Sequence, residues 1–352
     1  MPQTARHIAF DVLLRTARGA FAGDLLDAAS RGLDSREAGL ASEIVFGCLR
    51  RQSELDFLID YFAAKSMKID LEVRVALRMG IYQLRHLDKI PRHAAVSESV
   101  DLVKRARKRS AAGFVNAVLR KTHRAPVEFP DRATALSCPE WLLAKWDAEF
   151  GDAESIARAF LVPPEKHFTG DRQQDIGSQS IVPLLELQPG HTFLDLCAAP
   201  GNKTLQAVEA GARAVACDIH FHRIRQVPVT DRVQLDATAP LPFGRLFDRI
   251  LVDAPCSGTG TLGRNPEIRW RIQPSDLEEL RAKQARLLRN ALAWLNPDGI
   301  LVYSTCSLER EENEDVVREV TGAMEVKTVS RIPGRDAGDG FFAAVIRFKK
   351  SS

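Results

Sequence analysis

The 352-residue sequence lacks the long apolar runs and the cysteine pairs that would mark several protein classes. No run of about 18 apolar residues occurs, so we expect no transmembrane helix. Charged residues at Arg6, Asp11 and Arg15 interrupt the apolar N-terminus, which is not the pattern of a signal peptide. None of the six cysteines forms a CxxC pair, so zinc and thioredoxin-like chemistry are not expected. We therefore expect a cytoplasmic protein with free thiols, no metal and no membrane association.

The composition indicates a globular chain of two or three domains, with 45 % apolar and 27 % charged residues. Charge is unevenly distributed. Residues 1–124 contain 22 Lys and Arg against 14 Asp and Glu, a net charge of +8, and the remainder carries −5. This first part could bind a polyanion, although a solvated basic surface would have the same composition. It includes a cluster of cations that could serve a helix C-terminus, phosphates or both: Lys104, Arg105, Arg107, Lys108 and Arg109.

The apolar pattern predicts helices over most of residues 4–124. Apolar residues recur at helical spacing, for example in the sets Val73, Leu77, Ile81 and Val96, Val100, Val103. Prolines at 126, 130 and 139 then indicate a linker. A further helix is predicted around residues 139–161, followed by a polar stretch.

From about residue 191 the pattern changes to alternating strands and helices, which predicts a mostly parallel sheet covered on both faces. The predicted strands are HTFLDL, ARAVACD, RVQLD, FDRILVD and GILVYST, and the closing GFFAAVIRF reads as a last strand that could be antiparallel. A helix is predicted over residues 276–295, with Ser275 and Glu278 as a capping box and Asn296-Pro297-Asp298-Gly299 ending it.

Acidic residues end three of these strands. Asp195 lies in LDLCAAPGNKT, where small residues allow a cofactor to approach the backbone closely, and Asp218 and Asp236 end the next two strands. We expect Asp218 to accept hydrogen bonds from a ribose and Asp236 to meet an adenine edge. The loop is not a GxGxxG phosphate cradle, so a nucleoside cofactor without a polyphosphate is favoured, and S-adenosyl-L-methionine meets that description.

Two cysteines follow strand ends at the same sheet edge, Cys256 in VDAPCSG and Cys306 in YSTCS. Cys48, Cys138 and Cys217 instead read as buried small apolar residues. A thiolate can add to carbon 6 of a cytosine, which makes carbon 5 nucleophilic enough to accept a methyl group. In this scheme Asp253 would hold the N3/N4 edge of the base.

Three stretches, LDLCAAPGNKT, VDAPCSGTGTLGRNPEIRW and YSTCSLEREENE, resemble the RsmB/Sun family of RNA cytosine-C5 methyltransferases. The N-terminal part resembles the NusB-like RNA-binding domain of bacterial members, in RHIAFDVLLR, LASEIVFGCLR and FVNAVLRK. The resemblance implies an all-α NusB-like domain over residues 1–124, a linker and truncated pre-catalytic segment over 125–180, and an α/β Rossmann-like class I methyltransferase domain over 181–352. It also implies a monomer that acts on RNA, as a small-subunit (16S) ribosomal RNA methyltransferase.

The same resemblance assigns roles to residues. Cys306 would be the nucleophile, Cys256 would assist breakdown of the covalent adduct, Asp253 would contact both cofactor and cytosine, and Lys203 would face the catalytic centre. The S-adenosylmethionine site would comprise Cys197, Ala198, Ala199, Pro200, Gly201, Asn202, Lys203, Asp218, Asp236 and Asp253.

The chain departs from the family pattern in three places. Asn202 stands where the family usually has a second glycine, and we expect Asn to tolerate a left-handed backbone there. The RNA-binding subdomain that normally precedes Gln174-Asp175 is mostly missing, and the stretch from Asp218 to Asp236 is short.

Two other functions fit parts of the sequence. A DNA cytosine methyltransferase would share the fold, but such enzymes take their nucleophile from a Pro-Cys-Gln motif, and this chain has Pro255-Cys256-Ser257. A NusB-like RNA-binding or ribosome-assembly factor with an inactive methyltransferase domain would be compatible with the shortened middle segment.

Overall fold

The computed structural model describes residues 4–64, 68–169 and 172–349. The ends of the first and last predicted domains, at 1–3 and 350–352, lie outside the described residues, as do 65–67 and 170–171. The chain forms two compact units. The first comprises Met1–Pro163 with Leu262–Trp270, and the second comprises Pro164–Thr261 with Arg271–Ser352.

The first unit is helical, as the sequence predicts for residues 4–124. Its helices are α1 Ala5–Thr16, α2 Ala22–Ala29, α3 Ser35–Arg50, α4 Gln52–Ala63, α5 Leu71–His86, α6 Arg92–Arg105, α7 Ala112–Lys121, α8 Arg132–Ala135, α9 Glu140–Phe150 and α10 Ala153–Ala159. The single helix predicted around residues 139–161 is wrong. Gly151 takes a left-handed backbone with φ of 74° and ends α9, and the Asp152 side chain caps α10 by accepting from the Ser155 amide.

Apolar spacing brings these helices together around one core. Val73, Leu77 and Ile81 of α5 are all at most 3 % exposed, which confirms their predicted inward face, whereas Val103 alone of the α6 set is fully buried. Burying such a side chain contributes about 1.5–3 kcal/mol.

The cation cluster of residues 104–109 lies at the end of α6 and just beyond it. Both of its lysines face acids: Lys104 Nζ lies 2.9 Å from Asp101, and Lys108 Nζ lies 2.8 Å from Asp70. Both pairs are exposed, so solvent screens them and they add little to the stability of the fold.

A segment that follows the Cys256 loop in sequence belongs to the first compact unit. In this segment, Leu262–Trp270, the Glu267 carboxylate accepts from the Ala22 amide at 2.9 Å, and the buried Arg269 guanidinium donates to the Ser137 carbonyl at 2.9 Å. Burial lowers the pKa of Arg269 to about 10.

The second unit is a seven-stranded sheet with helices, in the order β5-β4-β3-β6-β7-β9-β8. Its strands are β3 Thr192–Asp195, β4 Arg213–Asp218, β5 Arg232–Gln234, β6 Phe247–Asp253, β7 Leu295–Thr305, β8 Glu325–Arg331 and β9 Phe341–Arg347; a separate hairpin pairs β1 Phe168–Thr169 with β2 Arg172–Gln173. Strands β3 to β7 are parallel, as predicted, and β9 is antiparallel to β7. This is a Rossmann-like α/β domain.

Two elements of this unit differ from what the sequence predicts. The strand β8 is not among the predicted strands, because its side chains are mostly exposed at the sheet edge and give no apolar alternation. The long helix begins at Pro274 rather than 276, and its capping box joins Gln273 with Asp276 instead of Ser275 with Glu278. The Asn296–Gly299 stretch belongs to β7.

The helices of the second unit are α11 Ile176–Gln179, α12 Asn202–Glu209, α13 Phe221–Ile224, α14 Pro274–Leu292 and α15 Glu314–Thr321. The four-residue α13 occupies the stretch between Asp218 and Asp236 that is short in the sequence. The core of the sheet is formed by fully buried strand residues such as Leu194, Ile250 and Leu301.

Candidate active site

The parallel strands end at one edge of the sheet, and every predicted site residue follows or ends one of them. β3 ends at Asp195, β4 at Asp218 and β6 at Asp253, while β7 ends at Thr305, one residue before Cys306. The carboxyl edge of such a sheet is where ligands bind.

The loop after β3 turns sharply into α12. The Ala198 amide donates to the Cys217 carbonyl at 2.8 Å, which holds the loop against β4. Gly201 has φ of 110°, and a Cβ there would lie 3.0 Å from Val227 Cγ1, so only glycine fits. Asn202 is the first residue of α12. The expectation that position 202 needs a left-handed backbone is therefore wrong. Gly201 is the left-handed residue, and Asn202 is helical.

A cleft of about 280 Å³ lies beside this loop. Its lining includes five of the predicted cofactor residues: Cys197, Ala199, Asp218, Asp236 and Asp253. Its volume is near the lower end of the usual range for small-molecule sites. A smaller pocket of about 90 Å³ is lined by four further loop residues, Ala198, Pro200, Asn202 and Lys203.

Sequence reasoning missed several cleft residues. Arg223 of α13 and the pair Lys283 and Leu287 of α14 also line the cleft. The only signal for the pair was its i, i+4 spacing on a predicted helix, which is common to many exposed and buried helix faces.

The two acids of the cleft differ in exposure. Asp218 is 5 % exposed; its Oδ1 accepts from the His220 amide at 2.8 Å, and its Oδ2 lies 3.9 Å from Arg223 Nη1. Asp236 is exposed, and its Oδ1 accepts from both the hydroxyl and the amide of Thr238, at 2.7 and 2.9 Å. These Thr238 hydrogen bonds lower the pKa of Asp236.

Asp195, the third strand-end acid, does not line the larger cleft. It is 1 % exposed and its Oδ2 accepts from the Thr204 hydroxyl at 2.7 Å. Burial raises the pKa of Asp195 to about 7. Asp195 therefore supports the loop from inside the domain.

Asp253 lines the cleft and also bonds to Ser304, which stands two residues before Cys306. Its Oδ2 lies 2.5 Å from Lys203 Nζ, and its Oδ1 accepts from the Ser304 hydroxyl at 2.8 Å. Burial by itself would lower the pKa of Lys203, but the adjacent Asp253 carboxylate outweighs it and raises that pKa. Lys203 is therefore a cation at neutral pH.

The two cysteine thiols lie together, with 3.3 Å between the Sγ atoms of Cys256 and Cys306. Cys306 is exposed and Cys256 is half-buried. The hydrogen bond with Cys306 and burial raise the pKa of Cys256, so Cys256 holds its proton in this state. Cys48, Cys138 and Cys217 are buried, which confirms their predicted packing role.

A close backbone approach brings the two cysteine loops together. The Gly260 amide donates to the Cys306 carbonyl at 2.9 Å, and the Gly340 amide donates to the Gly260 carbonyl at 2.8 Å. A Cβ on Gly260 would lie only 2.3 Å from the Gly340 oxygen. A larger residue at 260 would therefore push the loops apart.

Within residues 4–64, 68–169 and 172–349, no three His, Cys, Asp or Glu side chains are grouped as a metal site would require, and no helix combines the length and apolarity needed to span a membrane.

Comparisons with known proteins match both parts of the chain. Residues 182–329 match the family described as 16S rRNA methyltransferase RsmB/F, and residues 3–124 match the NusB family. The crystal structure of PH0851 covers 99 % of both chains with a TM-score of 0.78 at 21 % identity, which shows a shared fold.

Curated relatives match over most of their length. The ribosomal RNA small subunit methyltransferase B of Thermus thermophilus is 36 % identical over 353 residues, covering 90 % of this chain and 86 % of that protein. The protein of the same name from Pectobacterium atrosepticum is 30 % identical, covering 91 % of this chain and 92 % of its own. On these matches, the chain belongs to the RsmB/F family of 16S rRNA methyltransferases.

Proposed function

We propose that the protein methylates carbon 5 of a cytosine in small-subunit ribosomal RNA, through a covalent bond between Cys306 and the base. One observation carries the proposal: an exposed thiol, Cys306, lies 3.3 Å from a second thiol, Cys256, at the strand edge that also carries Asp253 and the cleft. A methyltransferase that acts on an oxygen or nitrogen atom needs no such thiol pair, whereas carbon 5 of cytosine must first be activated.

The residues of the cleft fit S-adenosylmethionine. Asp218 and Asp236 offer carboxylates to hydroxyl and amino donors and would repel a phosphate, while Leu235 and Leu287 offer apolar contacts. We assign the cofactor to Asp218, Asp236 and Asp253 with the loop Cys197 to Lys203. When bound, it would supply a methyl group carried on a positively charged sulfur.

The chain's own residues would prepare the base. The Cys306 thiolate forms a bond to carbon 6, and the electrons of the C5–C6 double bond move toward the N3/N4 edge and make carbon 5 nucleophilic. Asp253 holds that edge. The ion pair with Lys203 and the Ser304 hydrogen bond keep Asp253 oriented for this contact.

Cys256 would act after methyl transfer. A negative charge on Cys306 is one of the causes that raise the pKa of Cys256, and that charge disappears when the Cys306 sulfur bonds to carbon. Cys256 can then lose its proton to solvent, and the resulting thiolate accepts the proton on carbon 5. The electrons of that C–H bond restore the C5–C6 double bond as the Cys306 sulfur leaves.

The RNA would be held in part by the first 124 residues. This part matches the NusB family and carries a net charge of +8, whereas the rest of the chain carries −5. We propose residues 1–124 as an RNA-binding domain, 125–180 as a linker with a truncated pre-catalytic segment, and 181–352 as the methyltransferase domain of a monomer.

The test is release of tritium from carbon 5. Unmodified 16S rRNA made with [5-³H]cytidine should lose tritium to water when the protein and cofactor are added, and bisulfite sequencing should locate the modified base. Cys306→Ala should release none while its cofactor affinity, measured by calorimetry, stays within about twofold of wild type.

Methyl incorporation without tritium release, or full activity of Cys306→Ala, would overturn the cytosine-C5 proposal. If the protein binds RNA and cofactor but transfers no methyl group, the alternative of an RNA-binding assembly factor with an inactive methyltransferase domain is favoured.

A further inference from the structure

One buried carboxylate holds both cysteine loops. Glu312 is fully buried, and its Oε1 accepts from the Ser257 amide at 2.8 Å. Its Oε2 accepts from the hydroxyls of Ser257 and Ser307, the latter at 2.5 Å. Ser257 directly follows Cys256, and Ser307 directly follows Cys306.

A glutamine on α14 completes the arrangement. The Gln284 side-chain amide donates to Glu312 Oε1 at 2.9 Å and to the Pro255 carbonyl at 3.0 Å, and Pro255 directly precedes Cys256. The carboxylate thus receives four neutral donors, which matches the acceptor capacity of an ionised carboxylate. An amide in its place could not accept from all four, and an unmet buried donor costs about 1–3 kcal/mol.

The backbone that carries Glu312 is itself held in place. The Tyr303 hydroxyl donates to the Glu312 carbonyl at 2.6 Å. The next side chain, Asn313, accepts from the Thr305 hydroxyl at 2.5 Å and donates to the Ser307 carbonyl at 3.0 Å. Since Thr305 and Ser307 flank Cys306, the Cys306 loop is fixed to this segment on both sides.

This geometry determines where the two sulfur atoms lie. The rate of a reaction between positioned groups falls about a hundredfold when they are misplaced by about 1 Å. The two Sγ atoms lie 3.3 Å apart. The hydrogen bonds of Glu312 and Asn313 fix the loops that carry them and thereby set this separation.

We propose that Glu312 is the positioning residue for both catalytic cysteines: it holds the Cys256 and Cys306 loops at the separation that attack on the base and release of the product require. Glu312 acts through Ser257 and Ser307 and touches neither substrate nor cofactor. The consequence for methyl transfer rests on the function proposed above, but the effect on the separation of the thiols does not.

Glu312→Gln tests the proposal, with Glu314→Gln as the matched control because Glu314 is exposed and two residues away. Diamide oxidises two adjacent thiols to a disulfide and is itself reduced to a hydrazine. In the cofactor-free protein, peptide mapping should show a Cys256–Cys306 disulfide that forms at least tenfold more slowly in Glu312→Gln than in wild type. Glu314→Gln should match wild type.

Kinetics provide the second measurement. In Glu312→Gln, kcat for methyl transfer should fall about 10- to 100-fold with KM for RNA and cofactor affinity changed by less than threefold. A merely structural role would lower the amount of active protein and leave the rate of disulfide formation in the folded fraction unchanged. A folded Glu312→Gln protein with wild-type disulfide formation and wild-type kcat would overturn the proposal.

One outcome separates this proposal from the function it rests on. If disulfide formation slows in Glu312→Gln but wild type transfers no methyl group to carbon 5, the positioning role stands and the proposed function fails.

If Glu312→Gln does not fold, Ser257→Ala and Ser307→Ala test the proposal instead. Each alone should slow disulfide formation, and the effects should not add, because both act through one carboxylate. Wild-type rates in both variants would contradict the proposal.

Discussion

The cysteine loops and the proposed cofactor cleft lie at the same sheet edge but are built differently. Around the cysteines, a buried Glu312 receives four hydrogen bonds and Gly260 permits a close backbone approach. In the cleft, Asp218 and Asp236 are bonded mainly to their own turns. In the proposed mechanism the thiols must be placed within a fraction of an ångström, and the interior holds them. The acids proposed to bind and release the cofactor lie at an open cleft.

Removing the Cys256 thiol should have the largest effect of the variants that test this difference between the cysteine loops and the cleft. Cys256→Ala should leave attack by Cys306 intact and prevent release, so a protein–RNA adduct should accumulate and turnover should stop. Denaturing electrophoresis with 16S rRNA and cofactor would show a shifted band. The control is Cys256→Ala/Cys306→Ala, which has no nucleophile and should give no band. Absence of the band in Cys256→Ala would contradict the proposal that Cys306 attacks the base and Cys256 is needed for its release.

Asp195, the buried acid that ends β3, should destabilise the folded state increasingly as pH rises. The pKa of Asp195 is about 7 in the folded protein against an ordinary value of 3.8, so the folded state binds the proton more tightly. Between about pH 4 and 7 its contribution to stability therefore decreases with pH, by about 1.4 kcal/mol per unit.

Asp195→Asn removes this titration. The free energy of unfolding of Asp195→Asn, minus that of wild type, should increase by about 2–3 kcal/mol from pH 5 to pH 7. Urea denaturation at each pH measures it, and the exposed Asp231→Asn is the control. A difference that stays constant with pH would show that Asp195 is not held in its protonated form.

Asp218, the buried acid of the cleft, should contribute more to cofactor affinity than the exposed Asp236. Losing a charge-assisted hydrogen bond costs about 1.5–3 kcal/mol, so Asp218→Ala should weaken S-adenosylmethionine binding about 10- to 150-fold. Isothermal calorimetry measures the change, again with Asp231→Asn as control. An unchanged affinity in Asp218→Ala would show that Asp218 does not bind the cofactor.

The smallest effect is expected at Asp236. Its carboxylate is exposed and already accepts two hydrogen bonds from Thr238, so Asp236→Asn should weaken cofactor binding by only about 0.5–1.5 kcal/mol, or about 2- to 12-fold. The same calorimetric titration applies. If Asp236→Asn loses more cofactor affinity than Asp218→Ala does, the argument that the buried acid binds the cofactor more strongly is contradicted.

Strand ends carried most of the information that the sequence held about the site. Runs such as FDRILVD have a clear apolar pattern, so β6 and the position of Asp253 at its end could be predicted. Lys283 and Leu287 could not be assigned to the cleft, because helix periodicity gives a face but not the neighbour that the face meets. For the same reason β8, with its exposed side chains, gave no signal.

The sequence by itself determined the two kinds of domain, the parallel strand order along the chain and the residues that carry the proposed chemistry, because apolar periodicity, turn residues and short motifs are local properties. Only the tertiary structure showed that Glu312 joins the loops of Cys256 and Cys306, residues that are 56 and 6 positions away from it in the chain. The physical reason is that a buried carboxylate takes its partners from whichever donors the packed chain brings to it. The identity of these partners depends on long-range packing, which cannot be predicted from a local sequence pattern.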